Sequence, residues 1–222
     1  YSKFFKGANR SKFDLCYIDP FAGTGERTSE EQTGGLFENQ PISTIERQNP
    51  GSAARALAVV PPFHHLRFGD SNSRYVKALE SLVKLSPGRD ARVIPKDANE
   101  FIQTGFSHPY WANPEGGGKF ARALVFLDPY GLEVQWHTLE VLAACQKADV
   151  WFLANLKAAV QQLSHDHAKL DTDKRRALGE YFGTDEWEEL FYKEIDQQEG
   201  LLGRLEPRKE RDATKLEIAA FH

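Results

Sequence analysis

The stretch YIDPFAGTG at residues 17–25 decides how the rest of the chain is read. It closes an apolar run, FDLCYID (13–19), which ends in Asp19 and breaks at once into a turn carrying Gly23 and Gly25. A strand that stops at an acid and a glycine turn opens a strand–loop–helix unit. Backbone can approach a ligand closely in such a turn, because glycine has no Cβ to intrude. The dinucleotide fingerprint is not met: Gly25 is followed by Glu26 and Arg27, and Thr28 stands where a third glycine belongs. No GxxxxGK[ST] phosphate loop occurs anywhere in the chain. A nucleoside without a pyrophosphate suits this turn better.

Four more short apolar runs follow: HHLRFGD (64–70), ARVIPKD (91–97), ARALVFLD (121–128) and ADVWFLAN (148–155). The last two are nearly continuous in Val, Leu, Phe and Ala, as strands buried on both faces are. Helical spacing fills the gaps. GSAARALAVV starts near residue 51, SRYVKALESLVKL groups Tyr75, Leu79, Leu82 and Val83, and WHTLEVLAACQK groups Leu139, Leu142 and Ala143. Strand and helix alternating at this pitch predict an α/β fold with a Rossmann-like, doubly wound, mainly parallel sheet. Residues 26–50 are polar, carry Gly34–Gly35 and read as a long loop, and residues 107–119 read as a Pro/Gly/aromatic connection. Beyond residue 155 the chain turns helical and charged, and TKLEIAAF (214–221) reads as one more strand. The expected organisation is a core over 1–156, with 157–222 a helical extension plus final strand of the same domain.

Composition narrows the class. A net charge of −4 argues against a protein that coats nucleic acid through bulk positive charge. No apolar run approaches the ~18–20 residues of a membrane span, and no secretory leader is evident. Cys16 and Cys145 both lie in apolar surroundings without a CxxC partner, so the expectation is two buried thiols, a reducing cytoplasmic setting and no metal site of the chain's own. His165 and His167 stand two apart, and on a helix their rings would diverge by ~200°, which disfavours joint metal binding.

Four of the five apolar runs end in aspartate: Asp19, Asp70, Asp97 and Asp128. In open α/β sheets the ligand crevice lies outside the carboxyl ends of the strands. There Asp70 could accept hydrogen bonds from both hydroxyls of a ribose, and Asp97 one from an adenine amino group. Each acid has a structural alternative. A strand-end aspartate can cap the next helix, as Asp97 before ANEF could, and Asp19 could orient the loop backbone.

At this point the chain resembles S-adenosylmethionine-dependent methyltransferases of Rossmann type (class I), and among them most closely the three-Cys-motif partner proteins. The pieces that carry the likeness are YIDPFAGTG (17–25), NPGSAARAL (49–57), KDANEFI (96–102), LVFLDPYGLEVQWHTLEVLA (124–143) and ADVWFLANL (148–156), with a looser match at KLEIAAFH. The resemblance implies S-adenosylmethionine as cofactor. Its methionine end would lie by Asp19, Phe21, Ala22 and Gly23, with Gly25 completing the loop. Its ribose would lie on Asp70 and its adenine near Asp97 and Ala98.

Asp128, Pro129 and Tyr130 would occupy the catalytic motif of amino-group methyltransferases, which reads Asp or Asn, Pro, Pro, aromatic. There the acid and a proline carbonyl accept bonds from a target NH₂ while the ring stacks on a base, so the motif acts by positioning. Methylation of a nucleic-acid base is the implied activity. This chain reads DPYG, one proline short. The implied alternative is a catalytically silent, methyltransferase-like module that binds a three-Cys-motif protein. Trp136 would line the target pocket or anchor the next helix. Oligomeric state is left open.

Overall fold

The computed structural model describes residues 12–33, 43–113, 120–195 and 208–221. Gly34–Gly35 and residues 114–119, part of the two connections singled out above, lie outside them. The chain divides into two units, one of Tyr1–Leu127 with Leu142–Phe152, the other of Asp128–Val141 with Leu153–His222.

The first unit is built on β1 (Asp14–Asp19), β4 (His65–Gly69), β5 (Asp90–Ile94), β6 (Ala121–Leu127) and β7 (Ala148–Phe152). All neighbouring pairs are parallel, and the strands lie in the order β5-β4-β1-β6-β7. Helices alternate with them in sequence: α1 (Ser52–Ala58), α2 (Ser73–Lys84), α3 (Ala98–Phe106), the single turn α4 (Pro109–Ala112) and α5 (Trp136–Cys145), whose residues up to Val141 are counted with the second unit. This is a Rossmann-like α/β arrangement. Its sheet has five strands among the described residues, not the seven of a full methyltransferase sheet.

Strand alternation decides the core. β1 turns Leu15 and Tyr17 to one face, where they meet Leu66 and Phe68 of β4 and the α1 residues Ala53, Ala56 and Leu57. Leu79 of α2 joins them fully buried, and Leu82 and Val83 pack on the cluster. Cys16 and Cys145 are buried free thiols. Burial pushes the Cys16 thiol up to about 12, so it behaves as a small apolar side chain.

Three sequence expectations are corrected here. Residues 26–50 are not a plain loop: β2 (Glu26–Thr33) and β3 (Ser43–Pro50) form an antiparallel ladder, Glu26 opposite Pro50 and Thr33 opposite Ser43. A polar ribbon of this kind is held by backbone bonds and leaves no apolar period to read. β7 is not buried on both faces. It is an end strand of the sheet, and Trp151 is 63% exposed. TKLEIAAF is not a strand but α9 (Lys215–Phe221). The Thr214 hydroxyl accepts from the Glu217 N–H at 3.3 Å, and the Glu217 carboxylate accepts from the Thr214 N–H at 2.7 Å. That is a capping box, and it starts a helix.

The second unit contains α6 (Leu156–Gln162), α7 (Thr172–Phe182), α8 (Trp187–Phe191), a two-stranded antiparallel pair β8 (Tyr192–Ile195) and β9 (Arg208–Arg211), and α9. Its core is aromatic: the Phe182, Phe191 and Phe221 rings meet edge-on with centroids 5.3–5.8 Å apart. Gly183 caps α7 at φ +75°, and a Cβ there would lie 2.2 Å from the Trp136 ring. Trp136 thus packs on this cap, which favours its reading as an anchor. No helix among the described residues is long and apolar enough to cross a membrane.

Candidate functional site

Because β1, β4 and β5 are adjacent and parallel, their carboxyl ends form one rim. Asp19 pairs in register with Phe68, and Gly69 with Ile94, so Asp19, Asp70 and the segment leading to Asp97 emerge side by side. The Ala22 N–H donates to the Gly69 carbonyl at 3.0 Å and ties the glycine turn to the end of β4. Gly23 sits at φ +59°, and a Cβ built on it would meet no heavy atom of the described residues within 4 Å. The turn is therefore open on its outer side. Gly25, at φ +76°, is different: its Cβ would lie 2.6 Å from Leu82, so this glycine serves packing.

Each acid at the rim already has a local task. Asp19 is fully buried and accepts from the Phe21 N–H at 3.2 Å, with the Tyr17 hydroxyl at 3.4 Å. It orients the turn. Asp70 accepts from the Asn72 N–H through Oδ1 at 2.7 Å, leading into the Asn72 cap of α2. Asp97 caps α3, its Oδ1 accepting from Asn99 and Glu100 N–H at 2.9 and 3.2 Å. The local bonds of Asp70 and Asp97 use Oδ1, so neither assigns the second oxygen. Ala98, next to Asp97 in sequence, is buried, and Phe21 is half-buried.

Asp128, Pro129 and Tyr130 follow β6 directly and belong to the second unit. Asp128 is exposed, Pro129 buried, and Tyr130 87% exposed. The Tyr130 carbonyl accepts from Asn155 Nδ2 at 2.5 Å, while Asn155 Oδ1 accepts from Ala158 N–H at 3.0 Å and caps α6. The Gly131 N–H donates to Glu133 at 2.6 Å. The turn is thereby fixed while the Tyr130 ring stays exposed.

Two residues of this arrangement escape sequence reading. Asn155 carries no signal beyond being an asparagine ahead of a helical stretch. Gly69 is needed because a Cβ there would lie 2.7 Å from the Phe101 ring and 3.1 Å from Pro20 Cα. Its signal is the glycine placed just before a strand-end acid in FGD.

The densest polar cluster lies at the opposite, amino ends of the same strands. His65 reaches Asp14 with Nε2 at 2.9 Å and Asp90 with Nδ1, Arg67 holds Asp90 at 3.0 Å, and the Tyr110 hydroxyl donates to Asp14 at 2.8 Å. Arg92 also faces Asp90, at 3.7 Å. Neither His64 nor His65 is buried. Burial and the Asp14 contact push the Tyr110 phenol up to about 12. The Asp90 carboxyl is held below the ordinary carboxylate range, first by the His65 hydrogen bond and then, against some desolvation, by Arg67.

A lowered folded-state value stabilises the fold above the unfolded carboxylate pKa of ~3.9, and the contribution fades as pH falls through the lower folded value. Denaturation of wild type and Asp90→Asn across this range checks it. Their stability gap should be present above about pH 4 and should close on further acidification. Among the described residues no group of three His, Cys, Asp or Glu could hold a metal ion. His167 instead pairs with Glu188 at 2.9 Å.

Comparison of the chain with protein-family models, with curated proteins and with solved structures found no match. The fold and the rim define the class at the level of a Rossmann-like α/β protein, with its candidate ligand edge at β1, β4 and β5.

Proposed function

We propose that the chain binds S-adenosylmethionine at this rim and is a methyltransferase of the three-Cys-motif partner type, acting on an amino group of a nucleic-acid base. The observation that carries the reading is the Gly23 turn, open on its outer side among the described residues and shaped by Asp19, beside Asp70 just past β4 and Asp97 three residues past β5. When bound, the cofactor supplies an electrophilic methyl group. The rest falls to the chain. Asp19 keeps the turn in shape for the methionine end near Phe21, Ala22 and Gly23. Asp70 accepts from the ribose hydroxyls through its second oxygen, and Asp97 does the same for the adenine amino group beside Ala98. Asp128 and the Pro129 carbonyl accept from the target amino group, and Tyr130 stacks on its base, so that the nitrogen lone pair is oriented without being chemically activated.

Calorimetric titration of the protein with S-adenosylmethionine and with its demethylated product tests this. Saturable heat with one-to-one stoichiometry is expected, and silence from both at millimolar ligand rejects the cofactor reading. A second reading has its own support: the DPYG turn lacks one proline, so Tyr130 arrives one residue early and Gly131 follows it. On that reading the chain is a catalytically silent module that docks a three-Cys-motif protein.

A further inference from the structure

On the sheet face opposite the α1–α2 core lies a cavity of about 840 Å³. It runs along β1, β4 and β5 beneath α3 and α4, entirely within the first unit. None of Asp19, Gly23, Asp70 or Asp97 lines it. Its volume falls within the ~300–1,000 Å³ usual for small-molecule sites.

Three features set its chemistry. The floor is apolar, made by Cys16 and Ile18 of β1 with Ile94 of β5. One wall is aromatic: Phe106 and Trp111 lie 5.0 Å apart by centroid, and Tyr110 meets Trp111 edge-on at 5.2 Å. The charge of the lining is one-sided, with Arg67, Arg92 and Lys96 against the single carboxylate of Asp14. That carboxylate is taken by His65 and the Tyr110 hydroxyl. Arg67 is committed to Asp90 at 3.0 Å and Lys96 to Glu100. Arg92 holds Asp90 only at 3.7 Å, and its side chain is 72% exposed.

We propose that this cavity is a second ligand site, distinct from the rim, that takes a small flat aromatic anion. The ring lies against Trp111 and Phe106, where stacked or edge-on contacts favour aromatic over aliphatic ligands. The acid group lies toward Arg92 at the mouth, where a guanidinium can meet it with paired donors. The Cys16 thiol, kept neutral by burial, forms part of the apolar floor and is no nucleophile.

Gly105 supplies the test. It lines the cavity near the end of α3, and a Cβ there would meet no heavy atom of the described residues within 4 Å. Gly105→Phe therefore adds a ring to the cavity lining without a clash at Cβ. The probes are 8-anilinonaphthalene-1-sulfonate and its uncharged counterpart N-phenyl-1-naphthylamine, titrated by fluorescence into the whole protein.

The sulfonate is expected to saturate a single site at least about tenfold more tightly than the uncharged probe. Gly105→Phe should weaken it by about tenfold or more with cooperative unfolding retained. Arg92→Gln should weaken the sulfonate alone. Should Gly105→Phe fail to fold, Trp111→Ala takes its place with the same expectation. The proposal is overturned by non-saturating or absent sulfonate binding, by equal binding of the two probes, or by a folded plugged variant that binds as wild type does.

Discussion

A Trp187→Ala protein should lose about 3–5 kcal/mol of stability, the range for truncating a large buried aromatic. Trp187 is the largest fully buried side chain among the described residues, and it sits in the second unit near Phe182 and Tyr192, with centroids at 6.4 and 6.5 Å. Truncation leaves a void among rings that cannot collapse without breaking their edge-on contacts. The same residue carries a cost, since its indole Nε1–H is buried and has no hydrogen-bond partner among the described residues. An unmade bond of that kind costs about 1–3 kcal/mol. Trp187→Phe removes the orphan donor and keeps most of the volume, so its loss should be much the smaller. Urea denaturation of the three proteins decides the point: similar losses for the Ala and Phe variants would show that the ring does not fill a rigid core.

Asp128→Ala separates the two functional readings. If Asp128 positions a target amino group, turnover should fall by about 100-fold, the scale of losing one positioning contact. Affinity for S-adenosylmethionine should stay near wild type, because Asp128 lies outside the set assigned to the cofactor. Methyl-transfer assays on single-stranded DNA and RNA, run beside calorimetry, read both quantities. Loss of cofactor affinity together with turnover would argue against the assigned role. Undiminished transfer would remove Asp128 from the site. Absence of transfer in the wild-type protein that nonetheless binds cofactor would favour the docking module.

How much was legible depended on whether a segment is organised by apolar burial. β1, β4, β5 and β6 fall within a residue or a few of their apolar runs, and α1 begins at Ser52, next to the residue expected to start it. The alternation gave the parallel sheet, since βαβ units leave few other solutions. The β2–β3 ladder was invisible for the opposite reason: the polarity of ERTSEEQT says nothing about backbone pairing. In TKLEIAAF the apolar content suggested a strand, while the reciprocal Thr214–Glu217 pair carried the truth. The spacing T-x-x-E was there to be read.

At the candidate site, composition placed the acids at strand ends but could not tell ligand contact from local bonding. Asp97 is the clear case. The capping alternative is what the structure displays, and that leaves its second oxygen as the group available to a ligand. The exposure of β7 was not foreseeable, because burial of a strand depends on which neighbours the topology grants it.

The central position of β1 has a consequence for how the chain comes to be folded. Its two partners begin at His65 and Ala121, roughly fifty and one hundred residues downstream of Asp14. During synthesis the apolar segment around Leu15 and Ile18 leaves the ribosome long before either partner exists. Such distant pairings must overcome chain-closure entropy before any contact rewards them, which makes assembly slow compared with a helical bundle of equal size. The residues that end as the innermost part of the sheet are thus the ones that wait longest unprotected.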